Sequence, residues 1–318
     1  MNMSQKRGTA GAGCAMFLVG TLTAVSATIS GYPVFGGQAV RYAAAAVILL
    51  AVARLAGGPA RRPSARDWVL LAALAATGLV AFNVCIVAAT KDTSPATIGT
   101  VIATVPIVLA LVGPLLEGRR PAPGIIVSAC VVAAGAGLAN GLGGGSARGL
   151  LLSLGALGGE VCFSLLAVPL LPRLGPLRVS AYSAALAAPM LLAAGLVTDG
   201  TAVLRVPTGG ELAGFAYLSV VVTTIAFLLW YDAIGRLGAD RAGLFAGLIP
   251  ISAVATTVAL GIDRPGAADL AGAALVAAGV VVGLRARVAP REVAPREPAL
   301  SEPVTCEAAP IGIARGSA

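Results

Sequence analysis

The chain is a succession of apolar stretches, each close to the ~20 residues that cross hydrocarbon as a helix, separated by short polar connections. They run Gly11 to Ser30, Phe35 to Leu55, Asp67 to Ala88, Pro95 to Leu116, Ala122 to Leu142, Arg148 to Leu170, Pro176 to Val197, Glu211 to Ile234, Arg241 to Gly261, and Gly266 to Leu284. Within each stretch the residues are continuously apolar, with frequent Gly and Ala. That pattern predicts packed helices, because a barrel strand would alternate polar and apolar positions. The connections carry the breakers: Gly57-Gly58-Pro59, Arg120-Pro121-Ala122-Pro123, Gly143-Gly144-Gly145, Leu174-Gly175-Pro176 and Pro207-Thr208-Gly209-Gly210.

The pattern occurs twice. Ser94 to Leu138 can be laid over Gly238 to Val282 without a gap at an offset of 144 residues. Gly99 then falls on Gly243, Pro106-Ile107 on Pro250-Ile251, Pro121 on Pro265, and Val132 to Gly135 on Val276 to Gly279. In a membrane protein, a duplication with Pro and Gly interruptions at matched places points to a substrate pathway between the repeats.

Composition supplies the environment. With 58% hydrophobic and 11% charged residues and a mean hydropathy of +0.92, the chain cannot cover a soluble globule with polar surface. Basic residues sort by side. Seventeen lie in the loops and termini on one side, among them Lys6, Arg7, Arg54, Arg119, Arg236 and Arg285; the other side has only Lys91, Arg148, Arg205 and Arg264. Cytoplasmic loops retain Lys and Arg, so both termini are expected in the cytoplasm of a multi-pass plasma (inner) membrane protein. Five helices per copy is an odd number, which turns the second copy upside down. The expected fold is an all-α polytopic membrane protein of ten transmembrane helices in two inverted five-helix repeats. Its parts are a cytoplasmic N-terminus 1–10, a first repeat 11–142, a second repeat 148–287, and a disordered cytoplasmic tail 288–318 opened by the doubled Val-Ala-Pro-Arg-Glu at 288–297. Lys6-Arg7 before an apolar run ending near Ala24 to Ala27 loosely resembles a signal peptide, but the run has a counterpart opening the second repeat, so it reads as an uncleaved span. The net charge of +8 follows from loop placement and lipid head groups, with no nucleic-acid partner implied.

Chemistry narrows the function classes. There is no histidine, and Cys14, Cys85, Cys130, Cys162 and Cys306 form no CxxC, so neither a metal site nor a Ser/His or Cys/His nucleophile can be assembled. No phosphate-binding loop or GxSxG is present, and no cofactor is expected. A small-solute carrier explains the duplication; a membrane-embedded enzyme lacks its equipment; a non-transporting scaffold or receptor needs no polar midplane.

Several short motifs then share an order and spacing: Arg41-Tyr42 opening the second helix, Ser94-Pro95-Ala96 leading into a helix with central Pro106, and Glu117-Gly118-Arg119 at its end. They are followed by Leu229 to Ile234, Gly238 to Ala242 and Ile249-Pro250-Ile251. In these the chain resembles the paired EamA domains of the drug/metabolite transporter superfamily, from Gly11 to about Arg287. It departs from the pattern at Gly261-Ile262-Asp263, where the second repeat would carry Gly-Glu. The resemblance implies a secondary carrier, often an exporter of amino acids, other metabolites or toxic compounds.

A charge within the bilayer costs about 2.5–3.5 kcal/mol on insertion scales, so each one matters. Glu160, near the middle of the sixth stretch and too short to snorkel, reads as a proton-coupling or cation-binding carboxylate or as a carboxyl bonded to a neighbouring helix. Gly158 and Gly159 beside it would admit a close backbone or ligand. Arg41 either pairs with an anionic substrate or with Glu160, or snorkels outward. Asn83, Tyr42 and Trp230, with Gln38 and Tyr182, are further pathway candidates or helix-to-helix hydrogen-bonding groups. Asp232 and Arg236 read as an interfacial ion pair. Pro106 and Pro250 are hinge candidates, each expected to free a carbonyl near mid-membrane. The implied partners are a small-molecule substrate and the lipid bilayer. Protons as the coupling ion and a homodimer both stay open.

Overall fold

Two matched capping boxes show how the breakers become helix starts. The Ser64 amide donates to Asp67 Oδ2 at 2.8 Å while Ser64 Oγ accepts from the Asp67 amide. At the same place in the second copy the Thr208 amide donates to Glu211 Oε2 at 2.8 Å and Thr208 Oγ1 accepts from the Glu211 amide. Each box satisfies amides that a helix N-terminus leaves without partners.

The structure is a computed structural model that describes residues 3–22, 25, 29–56, 62–141, 145–259 and 266–286. Outside them lie the breaker at 57–59, the glycines 143–144, the departure at 261–263, all of 24–27 but Val25, and the tail from 288. The helices are α1 (Met3–Gly20), α2 (Val34–Leu55), α3 (Ala65–Ala89), α4 (Pro95–Leu116), α5 (Pro123–Asn140), α6 (Ala147–Leu165), α7 (Leu171–Asp199), α8 (Gly209–Leu237), α9 (Ala239–Gly243, a 3-10 turn Leu244–Gly247, then Leu248–Ala259) and α10 (Ala267–Arg285). Among the described residues seven helices, α2, α3, α4, α6, α7, α8 and α10, are long and apolar enough to cross a membrane. There is no strand among the described residues.

Boundaries differ from the hydropathy reading where polar residues extend a helix. α1 begins at Met3, so Lys6 and Arg7 of the segment expected as the cytoplasmic N-terminus lie in its first two turns. α7 is interrupted at Gly175, whose φ of 73° only glycine adopts freely, directly before Pro176.

The 144-residue offset governs the structure as well as the sequence. It carries α1 to α5 onto α6 to α10 with nearly the same start points. It also carries a π-helical turn, Ala75–Ala81 in α3, onto its counterpart Leu218–Ile225 in α8, and the break at Ala103-Thr104 in α4 onto the end of the 3-10 turn in α9. Helix packing has the same symmetry: α2 lies on α7, α4 on α9, and α5 on α10, while α1 on α8 is matched by α6 on α3. The α5–α10 seam needs small residues. A Cβ on Gly135 would stand 2.8 Å from the Gly272 carbonyl oxygen, and one on Gly272 would stand 2.6 Å from that of Gly135.

Candidate functional site

The π turns matter because a turn of i→i+5 bonds widens the helix and displaces its neighbours from regular register. In α8 the freed geometry is held by side chains: Thr223 Oγ1 donates to the Leu218 carbonyl and Thr224 Oγ1 to that of Ser219, both at 2.9 Å. In α3 Thr77 Oγ1 donates to the Ala73 carbonyl at 2.7 Å. Both turns line one cavity of about 600 Å³.

Its walls are drawn in symmetric pairs from the two halves: Gly78 and Val222, Phe82 and Ala226, Asn83 and Phe227, Ile86 and Trp230. Chemistry breaks that symmetry. Glu160 enters from α6 where Met16 stands on α1, and Arg41 enters from α2 where the second half has Ala185.

Arg41 is 5% exposed. Its Nε donates to Thr223 Oγ1 at 2.6 Å, its Nη1 to Gln38 Oε1 at 3.3 Å, and its guanidinium lies 5.3 Å from the centre of the Tyr42 ring. It points inward, away from the snorkelling alternative, and forms no ion pair with Glu160. Glu160 itself makes no hydrogen bond or ion pair to another described residue. It is placed by Gly159, where an added Cβ would stand 2.9 Å from the Thr77 carbonyl oxygen, so α6 lies directly against the α3 π turn. At Gly158 a Cβ would meet nothing within 4 Å, so it is Gly159 that a neighbouring backbone approaches.

Arg41, Tyr42, Asn83, Glu160 and Trp230 therefore meet in one cavity, together with Gln38 and Pro250. Asn83 Nδ2 donates within its helix to the Leu79 carbonyl at 2.6 Å, and Trp230 Nε1 donates to Ser164 Oγ at 3.3 Å. Tyr182 lies elsewhere, its ring 5.2 Å from that of Trp68, and Pro106 is buried behind the wall. Both prolines sit in the first turn of a restarted helix, Val105–Leu116 and Leu248–Ala259, where no amide is missed. The break in each helix thus lies just before its proline.

The cavity reaches the exposed Thr90 and Pro95 at the end that carries Lys91 and Arg148. At the other end Phe163 stands 4.8 Å from Phe227 and 5.1 Å from Tyr231, forming an aromatic floor. Beneath it is a vestibule of about 1100 Å³ bordered by Glu117, Arg119, Asp232, Arg236 and Arg241. There Arg119 bridges Glu117 at 2.6 Å and Asp240 at 3.5 Å, tying the end of α4 to the start of α9, and Asp232 pairs with Arg236. Thr223, Phe163, Phe227 and Tyr231 escaped the sequence reading. Two adjacent threonines inside an apolar helix, and a Phe one turn after Glu160, were the available signals.

Known proteins repeat this architecture. A solved crystal structure superimposes with a TM-score of 0.76 at 21% identity, covering 88% of this chain and 97% of its own. An uncharacterized transporter of Bacillus subtilis (strain 168), YetK, is 26% identical over 250 residues, 76% of this chain and 75% of that relative. A probable terminal-alkyne amino-acid exporter of Streptantibioticus cattleyicolor is 29% identical over 271 residues, 81% and 86% of the two chains. Both relatives are described as transporters rather than enzymes. The profile of the EamA-like transporter family matches twice, over residues 7–141 and 149–285, and the chain with its duplicated helices and shared cavity belongs to that family.

Proposed function

We propose that this protein is a secondary carrier that exports a small organic solute by alternating access, with Glu160 as the proton-coupling residue. In this reading ten helices cross the plasma membrane as two inverted five-helix repeats, with both termini in the cytoplasm. The observation that supports it most is an unpaired carboxylate inside a cavity built from symmetric elements, reaching exposed residues at one end and floored by aromatics at the other. Exchanging the conformations of the two halves would close the first end and open the floor toward the vestibule. Tyr231, which interacts electrostatically with Glu160, and Arg41 and Tyr42 in the same cavity as Glu160 are charged or titratable groups that face this process. An amino acid with an apolar body, the class named for the Streptantibioticus relative, suits the cavity's size and walls.

The test is solute movement in proteoliposomes under an imposed pH gradient, screened across amino acids and cationic compounds. Gradient-driven accumulation is expected for at least one solute. Binding without movement under any gradient would favour the receptor or scaffold reading. The topology has its own check: in a cysteine-free background, Ser4→Cys is expected to be protected from an impermeant reagent added outside intact cells and Lys91→Cys to react. External labelling of Ser4→Cys would overturn the orientation. As hinges, Pro106 and Pro250 are expected to tolerate alanine for insertion, with transport slowed severalfold as the balance of access states shifts. Unchanged rates in both variants would leave them as ordinary helix starters.

A further inference from the structure

We infer that Arg41 is the anion receptor of the cavity, so that the solute carries a carboxylate on an apolar body. This rests on the carrier reading for its biology, but its geometry stands alone. Arginine keeps its charge in any protein setting, and here it is 5% exposed in a helix long and apolar enough to cross the bilayer. Among the described residues its neighbours neutralise none of that charge: Thr223 and Gln38 accept hydrogen bonds as neutral groups, the Tyr42 face adds a cation–π contact, and no described carboxylate lies within ion-pair distance.

The way it is held also matters. Thr223 takes Nε, the inner edge of the guanidinium, and is itself fixed by its bond to the Leu218 carbonyl in the α8 π turn. Gln38 takes one proton of Nη1 at the long distance of 3.3 Å. Nη2 is bonded to no described residue. The outer fork of Nη1 and Nη2 is therefore left with donors spaced for the two oxygens of a carboxylate. A purely structural crosslink between α2 and α8 would use a neutral side chain more cheaply than an uncompensated charge.

Trp230 lines the same cavity and the chain has one other tryptophan, Trp68, so Trp68→Phe makes Trp230 fluorescence a local binding signal. Purified protein would be titrated with a matched set: L-norleucine, norleucinamide, hexanoate and hexylamine. Saturable changes are expected with norleucine and hexanoate, and affinities weaker by about tenfold to a hundredfold with the amide and the amine, the loss of a charge-assisted pair. Arg41→Gln should abolish the preference for acid over amide. Thr223→Val, which keeps the charge but releases its anchor, should weaken the acids while keeping that preference. Gel-filtration profiles would confirm that both variants are folded. Equal binding of acid and amide by the parent protein, or no binding of either acid at millimolar concentration, would overturn the assignment without recourse to any variant. Arg41-dependent carboxylate binding without pH-driven transport would instead sink the proton-coupled carrier and leave the receptor site in place.

Discussion

Glu160→Gln is expected to fold and insert as the parent protein does, yet to lose accumulation of solute driven by a pH gradient, down to the level of protein-free liposomes. Glutamine has the shape of the protonated carboxyl and cannot release a proton, so one limb of the cycle disappears. Exchange of solute for solute needs no proton step and should survive. Stability should change by no more than about 1 kcal/mol, since the carboxylate makes no hydrogen bond or ion pair to a described residue that the change would break. Uphill transport by the variant at the parent rate with the same pH dependence would make the residue structural.

Gly159→Val is expected to be nearly as damaging by a different route. The first added carbon would stand 2.9 Å from the Thr77 carbonyl oxygen and 3.0 Å from Phe82 Cβ, so α6 must move off the α3 π turn and carry Glu160 with it. Overpacking of this kind costs about 1–3 kcal/mol, and transport should fall by more than the fraction of protein lost. Gly158→Ala is the control, because its added carbon would meet nothing within 4 Å; it should melt and transport like the parent. Comparable damage from both substitutions would mean that the close approach at Gly159 is unimportant.

Which residues could carry chemistry was legible in the chain because the bilayer makes polarity expensive. A carboxylate, a guanidinium and an amide inside apolar stretches each need either a structural partner or a functional role, and Glu160, Arg41 and Asn83 stood out for that reason. What each touches was not legible. Thr223 is 182 residues from Arg41, and nothing local marks it as the acceptor that turns the guanidinium inward. The π turns were equally hidden, since Ala75 to Ala81 and Leu218 to Ile225 share few residues, and Gly78 of the first has no glycine matching it in the second.

The duplication and the apolar helices follow from composition and period alone, because the bilayer selects on length and polarity residue by residue. The tertiary structure decided the rest: that Gly159 and not Gly158 meets a neighbouring backbone, that the helices of α4 and α9 break before their prolines, and that Arg41 and Glu160 share a cavity without pairing. Those outcomes depend on how the two halves pack against each other, where distances of a few tenths of an ångström between residues far apart in the chain determine which contacts form.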